Sequence, residues 1–232
     1  SRNRRFQKTT HRKNLSGRTT VKTKTDTKEK VVFDLTNSNG AKYIAGIDEV
    51  GRGPLAGPVV CAAVVLPYDG EIIDGINDSK KLSEKRREKL DALIREKAIA
   101  VSVARVEPEE IDELNILRAT EKCMRLAAEG LRISPDVVLV DALVPDLPFR
   151  TVGIIKGDAQ SYAIGAASIV AKVYRDNLMR EYDEIYPEYG FAQNKGYGTG
   201  AHIAALKESG FCKIHRKTFI KNFSVEKARK PF

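Results

Sequence analysis

Cysteine is scarce in this sequence, and long hydrophobic runs are absent. The three cysteines, Cys61, Cys123 and Cys212, are an odd number at unrelated spacings. This arrangement argues against a disulfide framework or a zinc site, and it favours a reducing compartment. No apolar run approaches the roughly 18 residues that would suggest a membrane span. Because 42% of the residues are hydrophobic, we expect a folded core in a chain that does not cross a membrane.

Acidic residues are scarce near both ends of the chain. Residues 1–42 hold 12 Lys or Arg and 3 Asp or Glu, whereas residues 43–232 hold 28 of each class. The last segment, residues 195–232, is basic again, with 9 basic and 2 acidic residues. A polyanionic partner fits both basic ends. For the N-terminal segment, a tail that only improves solubility is the alternative.

Residues 1–41 show little hydrophobic periodicity and are rich in Arg, Lys, Thr, Ser and Asn. This composition predicts a disordered basic extension. It also fits an organelle transit peptide, although it lacks the apolar core of a secretory signal. We therefore expect a cytoplasmic protein, with a plastid or mitochondrion as the alternative if the segment is a transit peptide. The chain begins with Ser1 rather than Met, which weakens any prediction of targeting.

The remaining residues, 42–232, show strand and helix patterns in alternation. Apolar and β-branched runs predict strands, and apolar stripes at helical spacing after serine or proline predict helices. This order is typical of an α/β domain with helices packed on a mixed sheet. The predicted strands are 43–47, 59–66, 98–106, 137–140 and 151–155. The longer predicted helices are 83–97, 114–130, 160–182 and 201–208.

A pair of acidic residues, Asp48 and Glu49, follows the first predicted strand, and the turn Gly51-Arg52-Gly53 comes soon after it. Glycine lets backbone N–H groups approach a ligand closely, and the arginine adds a fixed cation. Carboxylates for a hard cation beside such donors suit a phosphate held against a metal ion. Because neighbouring strand residues point to opposite faces, the two acids diverge unless the backbone bends. A tight hairpin with a solvated acid pair is the structural alternative.

Two further acids come at comparable positions, Asp141 after the strand 137–140 and Asp158 just before a helix. Neighbouring strand ends lie about 5 Å apart, so these carboxylates could converge with that of Asp48. Such a group repels unless a cation neutralises it, and its oxygen ligands favour Mg²⁺ or Mn²⁺ over zinc. Each acid alone is weak evidence, because Asp is common at strand ends and Asp158 could simply cap its helix.

Two such ions about 3.5–4 Å apart can hold an in-line displacement at a phosphodiester. One ion activates the attacking water and the other stabilises the leaving oxygen, so the protein need not supply a general base or a covalent nucleophile. His202 and His215 are candidate helpers, although a surface or structural histidine is the favoured interpretation of each.

Six segments within residues 43–223 resemble, in order, the motifs of the ribonuclease HII family, which is the type 2 ribonuclease H family. The residues of these segments resemble those of bacterial members more closely than those of archaeal members or of eukaryotic catalytic subunits. One such segment could mislead, whereas six in order are specific. They are GIDEVGRGPLAGPVV at 46–60, DSKKLS at 78–83, VLVDAL at 138–143, KGDAQSYAIGAASIVAKVYRD at 156–176, NKGYGTGAH at 194–202 and HRKTF at 215–219.

The resemblance implies a ribonuclease H-like fold, with a mixed central sheet flanked by helices and a C-terminal helical segment. It implies two divalent ions, Mn²⁺ or Mg²⁺, held by four acids that match Asp48, Glu49, Asp141 and Asp158. The implied substrates are RNA–DNA hybrids and duplex DNA that contains single ribonucleotides. Cleavage would fall 5′ of a ribonucleotide and leave 3′-hydroxyl and 5′-phosphate ends, as ribonucleotide removal and primer removal require.

The resemblance also implies which residues contact the substrate. The turn Gly51-Arg52-Gly53 would sense the ribose 2′-OH, the group that distinguishes RNA from DNA. Tyr197 would stack on the sugar after the ribonucleotide, and a packed loop aromatic is its structural alternative. Phosphate contacts are expected from three lysines, which are otherwise ordinary solvated residues: Lys80, Lys81 and Lys172.

Two features fall outside the resemblance. The motif at 215–219 has Lys217 and Thr218 where the family usually has an arginine and a serine, which is a mild substitution. The long basic N-terminus has no counterpart in many members, so the resemblance says nothing about it.

Two other functions stay open at this point. A resolvase or integrase on the same fold would have the acids, but not the Gly-Arg-Gly turn together with the KGYGT loop. A nucleic-acid-binding module would explain the basic ends, but it gives no reason for acids at three strand or helix ends. Nothing in the sequence indicates an obligate protein partner, so we expect a monomer.

Overall fold

A five-stranded sheet lies at the centre of the computed structural model, which describes residues 27–223. Its strands are β1 (Ile44–Val50), β2 (Val59–Val65), β3 (Ala100–Val106), β4 (Val137–Asp141) and β5 (Thr151–Ile154). They stand in the order β3-β2-β1-β4-β5. The β3-β2-β1 pairings are antiparallel and the β1-β4-β5 pairings are parallel. The mixed sheet and all five predicted strands are therefore confirmed.

Serine hydroxyl groups cap the N-termini of two helices that flank the sheet. Ser83 accepts a hydrogen bond from the backbone N–H of Arg86, and Ser161 accepts one from Ile164, which satisfies N–H groups that have no partner inside the helix. The helices are α1 (Thr27–Ser38), α2 (Glu84–Lys97), α3 (Pro108–Leu114), α4 (Ile116–Glu129), α5 (Gly157–Gln160), α6 (Tyr162–Ile185), α7 (Phe191–Asn194), α8 (Gly200–Ser209) and α9 (Lys217–Ile220). Short 3₁₀ turns lie at Ser79–Lys81, Pro187–Tyr189 and Lys221–Phe223. In residues 27–223, no helix is both long and apolar enough to span a membrane.

Both faces of the sheet are covered, because β2 is buried along its whole length. Its side chains alternate between the two sides, as the pleat of a strand requires. Cys61 and Ala63 belong to the core that α4 covers, whereas Ala62 and Val64 belong to the core that α2 and α6 cover. The uninterrupted apolar run of this strand follows from burial on both faces.

Helix α6 lies directly on β1 at Gly46. A Cβ atom at this position would stand 2.1 Å from the backbone carbon of Ala163, so a larger residue would push the helix off the strand. The close contact sets the first half of α6 beside the end of β1, where the first two acids are located.

A separate apolar cluster holds the C-terminal helices against the end of α6. It joins Met179 of α6 to Phe191, Leu206 and Ile214, and it includes Ala56 from the loop between β1 and β2. The predicted C-terminal helical segment is thus confirmed, and its core extends beneath the Gly-rich loop that follows β1.

The expectation that residues 1–41 are disordered is wrong for Thr27–Ser38, which form α1. Buried polar side chains anchor this helix. Asp34 accepts hydrogen bonds from the Tyr68 hydroxyl at 2.7 Å and from the backbone N–H of Ala163 at 2.8 Å. Lys30 donates to the Asn77 side chain at 3.2 Å. Val31 is the buried apolar residue of this face, and the other buried residues are polar, so the helix shows no clear apolar periodicity. Residues 1–26 and 224–232 lie outside the described residues.

The anchoring role of Asp34 is testable in the full chain. Replacing it by alanine leaves a buried N–H and a tyrosine hydroxyl without their acceptor, so Asp34→Ala should lower the free energy of unfolding by about 2 kcal/mol. Chemical denaturation measures this change. Asp69→Ala, which alters an exposed acid, is the matched control and should change the free energy little. Equal effects from the two variants would contradict the proposed anchor.

Candidate active site

The parallel pairing of β1 with β4 brings Asp48 and Asp141 to neighbouring strand ends. Ile47 pairs with Val140 in the sheet, and each acid is the next residue along its strand. Adjacent strands lie about 4.8 Å apart, so the two carboxylates start from neighbouring backbone positions. The two strand ends that carry these acids are therefore neighbours in the sheet, and the joint role of the acids stays a prediction.

Asp48 is the most buried of the four predicted acids, with 8% of its surface exposed. Its Oδ1 atom accepts a hydrogen bond from the backbone N–H of Glu49 at 2.8 Å, and a hydrogen bond with Ser168 of α6 also supports the ionised form. Burial raises the pKa of Asp48 well above its usual range, and the neighbouring charges of Glu49 and Asp141 raise it further. The carboxylate therefore favours a nearby cation.

Glu49 feels the charge of Asp141, although successive residues of a strand point to opposite faces of the sheet. Burial raises its pKa, the charge of Arg52 opposes this rise, and the charge of Asp141 adds to it. The Arg52 guanidinium stands 3.4 Å from the Glu49 carboxylate. Glu49 thus connects the acidic cluster to the Gly-Arg-Gly turn.

A hydrogen bond from the backbone next to Asp158 holds Asp141 close to it. The Asp141 carboxylate accepts a hydrogen bond from the N–H of Gly157 at 2.7 Å, and Asp158 follows in the first turn of α5. Lys156, the residue before α5, adopts a left-handed conformation with φ 56°. This conformation turns the chain sharply from β5 into α5. Burial raises the pKa of Asp158, and the charges of Asp78 and Asp141 raise it further.

A cleft of about 440 Å³ opens beside these acids. Asp141 and Asp158 line it together with Asp78, Lys81 and Lys156. Asp78 belongs to the DSKKLS segment, but the sequence reasoning does not assign it to the site. Its side chain accepts a hydrogen bond from the N–H of Lys80 at 3.0 Å and pairs with Lys81 at 3.4 Å, so it shapes the loop that carries the two lysines.

The donor chemistry of this cluster fits a hard divalent cation. Within residues 27–223, no three His, Cys, Asp or Glu side chains are already arranged to hold a metal ion. However, several of the acids have a raised pKa because burial and mutual repulsion disfavour their charged forms, and a bound cation would remove that penalty. Carboxylate oxygens are the ligands that Mg²⁺ and Mn²⁺ prefer. The four predicted ligands remain a prediction that this chemistry supports.

The predicted lysines separate into two groups. Burial would lower the pKa of Lys80, but the charges of Asp48 and Asp158 outweigh it and raise the pKa, whereas Lys81 lines the cleft and pairs with Asp78. Lys172 lies instead in an internal ion-pair group, 2.5 Å from Asp176. The phosphate contact of Lys172 stays a prediction.

The Gly-Arg-Gly turn and the loop that carries Tyr197 lie against each other. The N–H of Leu55 donates to the carbonyl of Gly196 at 2.8 Å. A Cβ atom placed on Gly53 would stand 3.8 Å from the Tyr197 ring, so the ring is next to the turn. Tyr197 is 46% exposed, which leaves its ring accessible to a ligand.

Two fully buried arginines, which the sequence reasoning does not assign, hold these loops. Arg216 donates to the carbonyls of Gly51 at 2.5 Å, Arg52 at 2.9 Å and Gly57 at 2.8 Å. Arg175 of α6 donates to the carbonyls of Pro58 at 3.1 Å, Lys195 at 2.9 Å and Ala56 at 3.1 Å. The only signals in the sequence are an arginine within the long helical pattern and the HRKTF motif. Neither signal reveals that the partners are backbone carbonyls.

His202 and His215 are buried, and they contact each other at 3.0 Å. They lie in the C-terminal helical core rather than among the acids, and the structural interpretation of both histidines is therefore confirmed.

Comparison with known proteins identifies the family of this chain. A family model described as Ribonuclease HII matches residues 45–222. The chain is 57% identical over 187 residues to a ribonuclease HII of Acetivibrio thermocellus, covering 80% of this chain and 73% of that one. It is 53% identical over 180 residues to a ribonuclease HII of Enterococcus faecalis, covering 78% and 70%.

Solved structures agree with this result. The crystal structure of the ribonuclease H2 from Pyrococcus horikoshii OT3 superposes with a TM-score of 0.67 at 29% identity, covering 78% of this chain and 96% of that one. The ribonuclease H-like fold and the predicted family are thus confirmed. This chain belongs to the ribonuclease HII family and is a ribonuclease H enzyme.

Proposed function

We propose that this enzyme cuts the RNA strand of RNA–DNA hybrids and nicks duplex DNA on the 5′ side of single embedded ribonucleotides. One observation carries the finer part of the proposal. Glu49 belongs to the acidic cluster, and its carboxylate also pairs with Arg52 in the Gly-Arg-Gly turn. The group that would cut the strand is therefore in contact with the group that would recognise the ribose.

The proposed metal ligands are Asp48, Glu49, Asp141 and Asp158. Divalent ions, Mg²⁺ or Mn²⁺, would supply an activated water and charge stabilisation for the leaving oxygen. Asp48 and Asp141 hold fixed positions because their strands are paired and buried. Lys80 lies close enough to the acids to share their field, and it would hold a substrate phosphate beside them.

Recognition of the 2′-OH follows from how Arg216 holds the turn. The Gly51 and Arg52 carbonyls point toward its buried guanidinium. In a trans peptide the N–H points opposite to the carbonyl. The N–H groups of Arg52 and Gly53 therefore point away from Arg216, where they can donate to a ribose hydroxyl. Glycine on both sides of Arg52 keeps side chains out of the approach.

Tyr197 would complete the recognition of a junction between RNA and DNA. Its exposed ring lies beside Gly53. When a ribose contacts the turn, the ring can therefore stack on the next sugar along the same strand. All the groups named in this proposal come from one chain, and we propose that the active unit is a monomer.

Removing the charge of Asp48 tests the cleavage chemistry. Asp48→Asn should lower the single-turnover cleavage rate roughly 1000-fold, since several kcal/mol of charge stabilisation are lost. Affinity for uncleaved ribonucleotide-containing duplex, measured by fluorescence anisotropy, should stay close to that of the unaltered protein. Asp69→Asn is the control at an exposed position. An unchanged cleavage rate in Asp48→Asn would refute the assignment of the acids.

Removing the Tyr197 ring tests the junction role. Tyr197→Ala should lower kcat/KM on a duplex with one ribonucleotide by about 10-fold or more, given the usual contribution of aromatic stacking. The loss on a long RNA–DNA hybrid should be smaller, because that substrate has no junction at most cleavage sites. Tyr197→Phe keeps the ring and should retain most activity. Equal losses on both substrates would argue against junction recognition.

The basic N-terminal residues are proposed to contact the nucleic acid backbone. Deleting residues 1–26, which hold 9 Lys or Arg and 1 Asp, removes these charges and keeps α1. Binding measured against salt concentration should then show a slope shallower by about 0.9 per lost phosphate contact. An unchanged slope would favour a role in solubility or targeting instead.

A further inference from the structure

Three consecutive hydrogen bonds connect the backbone of Cys212, through His215 and His202, to the backbone of Tyr197. The N–H of Cys212 lies 3.0 Å from His215 Nδ1. His215 Nε2 lies 3.0 Å from His202 Nε2. His202 Nδ1 lies 2.9 Å from the backbone carbonyl of Tyr197. Both imidazoles are buried, so water does not compete for these contacts.

The groups at the two ends of this hydrogen-bonded series determine which imidazole nitrogens carry a proton. The backbone N–H of Cys212 can only donate, so His215 Nδ1 is an acceptor and the His215 proton is on Nε2. That proton is donated to His202 Nε2. The proton of His202 must then be on Nδ1, where it is donated to the Tyr197 carbonyl, which can only accept. One pair of tautomers satisfies all three contacts, and a second proton on either ring would set two donors against each other.

The surroundings keep both rings neutral and fixed. Tyr189 packs against His215 with ring centroids 4.8 Å apart, and Phe191 packs against His202 at 5.4 Å. Burial lowers the pKa of His215 to about 3, and it also lowers the pKa of His202. A neutral, directional pair is therefore the stable form at physiological pH.

We infer that His202 and His215 are positioning residues that fix where the Tyr197 ring lies relative to the Gly-Arg-Gly turn. The carbonyl of Tyr197 also accepts from the N–H of Thr199 at 2.8 Å, and Thr199 caps α8, the helix that carries His202. The backbone of Tyr197 is thus tied to the start of α8, while its ring is free to meet a ligand. The consequence for substrate choice rests on the proposed junction role of Tyr197.

Two substitutions separate the hydrogen bond from the shape of the ring. His202→Phe keeps an aromatic ring but removes the donor to the Tyr197 carbonyl. His202→Asn places an amide N–H near the position of Nδ1 and restores the donor. His202→Leu is a second donor-free variant if the phenylalanine variant does not fold. Thermal unfolding confirms the folded state of each variant at the assay temperature.

The first measurement reports position without using activity. The chain contains no tryptophan, so Tyr197→Trp introduces a single tryptophan at the ring position, which can be excited selectively over the tyrosines. Adding His202→Phe should lower the steady-state anisotropy of this tryptophan, since the carbonyl at position 197 loses the hydrogen bond from His202, and His202→Asn should preserve the anisotropy. Equal anisotropy with and without the donor would overturn the inference.

The second measurement reports substrate choice. His202→Phe should lower the ratio of kcat/KM on a single-ribonucleotide duplex to kcat/KM on a long hybrid by about 5-fold, as expected for one lost hydrogen bond, and His202→Asn should recover most of it. In a Tyr197→Ala background the same substitution should cause no further fall, because the two residues act in series. A further fall of the same size in that background would overturn the inference. A lowered anisotropy with an unchanged ratio would support the positioning role and reject the proposed junction role of Tyr197.

Discussion

The parallel pairing of β1 with β4 is the constraint on which the site depends. It places the carboxylates of Asp48 and Asp141 at adjacent strand ends, where their charges repel and burial disfavours ionisation. The sheet can maintain this arrangement because both strands are buried in apolar cores and α6 packs directly on Gly46. The fold thus stabilises a group of carboxylates that is unfavourable until a cation is bound.

The loops that would recognise substrate are held by buried polar groups rather than by regular secondary structure. Arg216 and Arg175 hold carbonyls of the loop after β1, and the His202–His215 pair holds the carbonyl of Tyr197. Backbone carbonyls are the acceptors in each case, and these hydrogen bonds therefore fix the loop backbone while Arg52 and Tyr197 remain exposed. Such a division suits a surface that must present a few side chains at defined positions.

The sequence predicts the sheet and the acids because their signals are local. A β-branched run such as 137–140 indicates a strand, and the acid that follows it indicates a site at the strand end. Helix α1 is not predicted, because Lys30 and Asp34 face inward and most of its buried residues are polar. The roles of Arg175 and Arg216 are not predicted either, since their acceptors lie on loops more than 100 residues away for several of the bonds. Only the folded chain shows those contacts.

We propose that the acidic cluster and the ribose-recognising turn act together on one substrate. Their joint action is tested by cleavage, with Mg²⁺, of a DNA duplex that contains one ribonucleotide, beside an all-DNA duplex and a long RNA–DNA hybrid. We expect a single nick 5′ of the ribonucleotide, cleavage of the hybrid and no cleavage of all-DNA. Cleavage of the hybrid alone would contradict the junction role of the turn and Tyr197. No cleavage of any substrate, even with Mn²⁺, would contradict the proposed roles of both the acids and the turn.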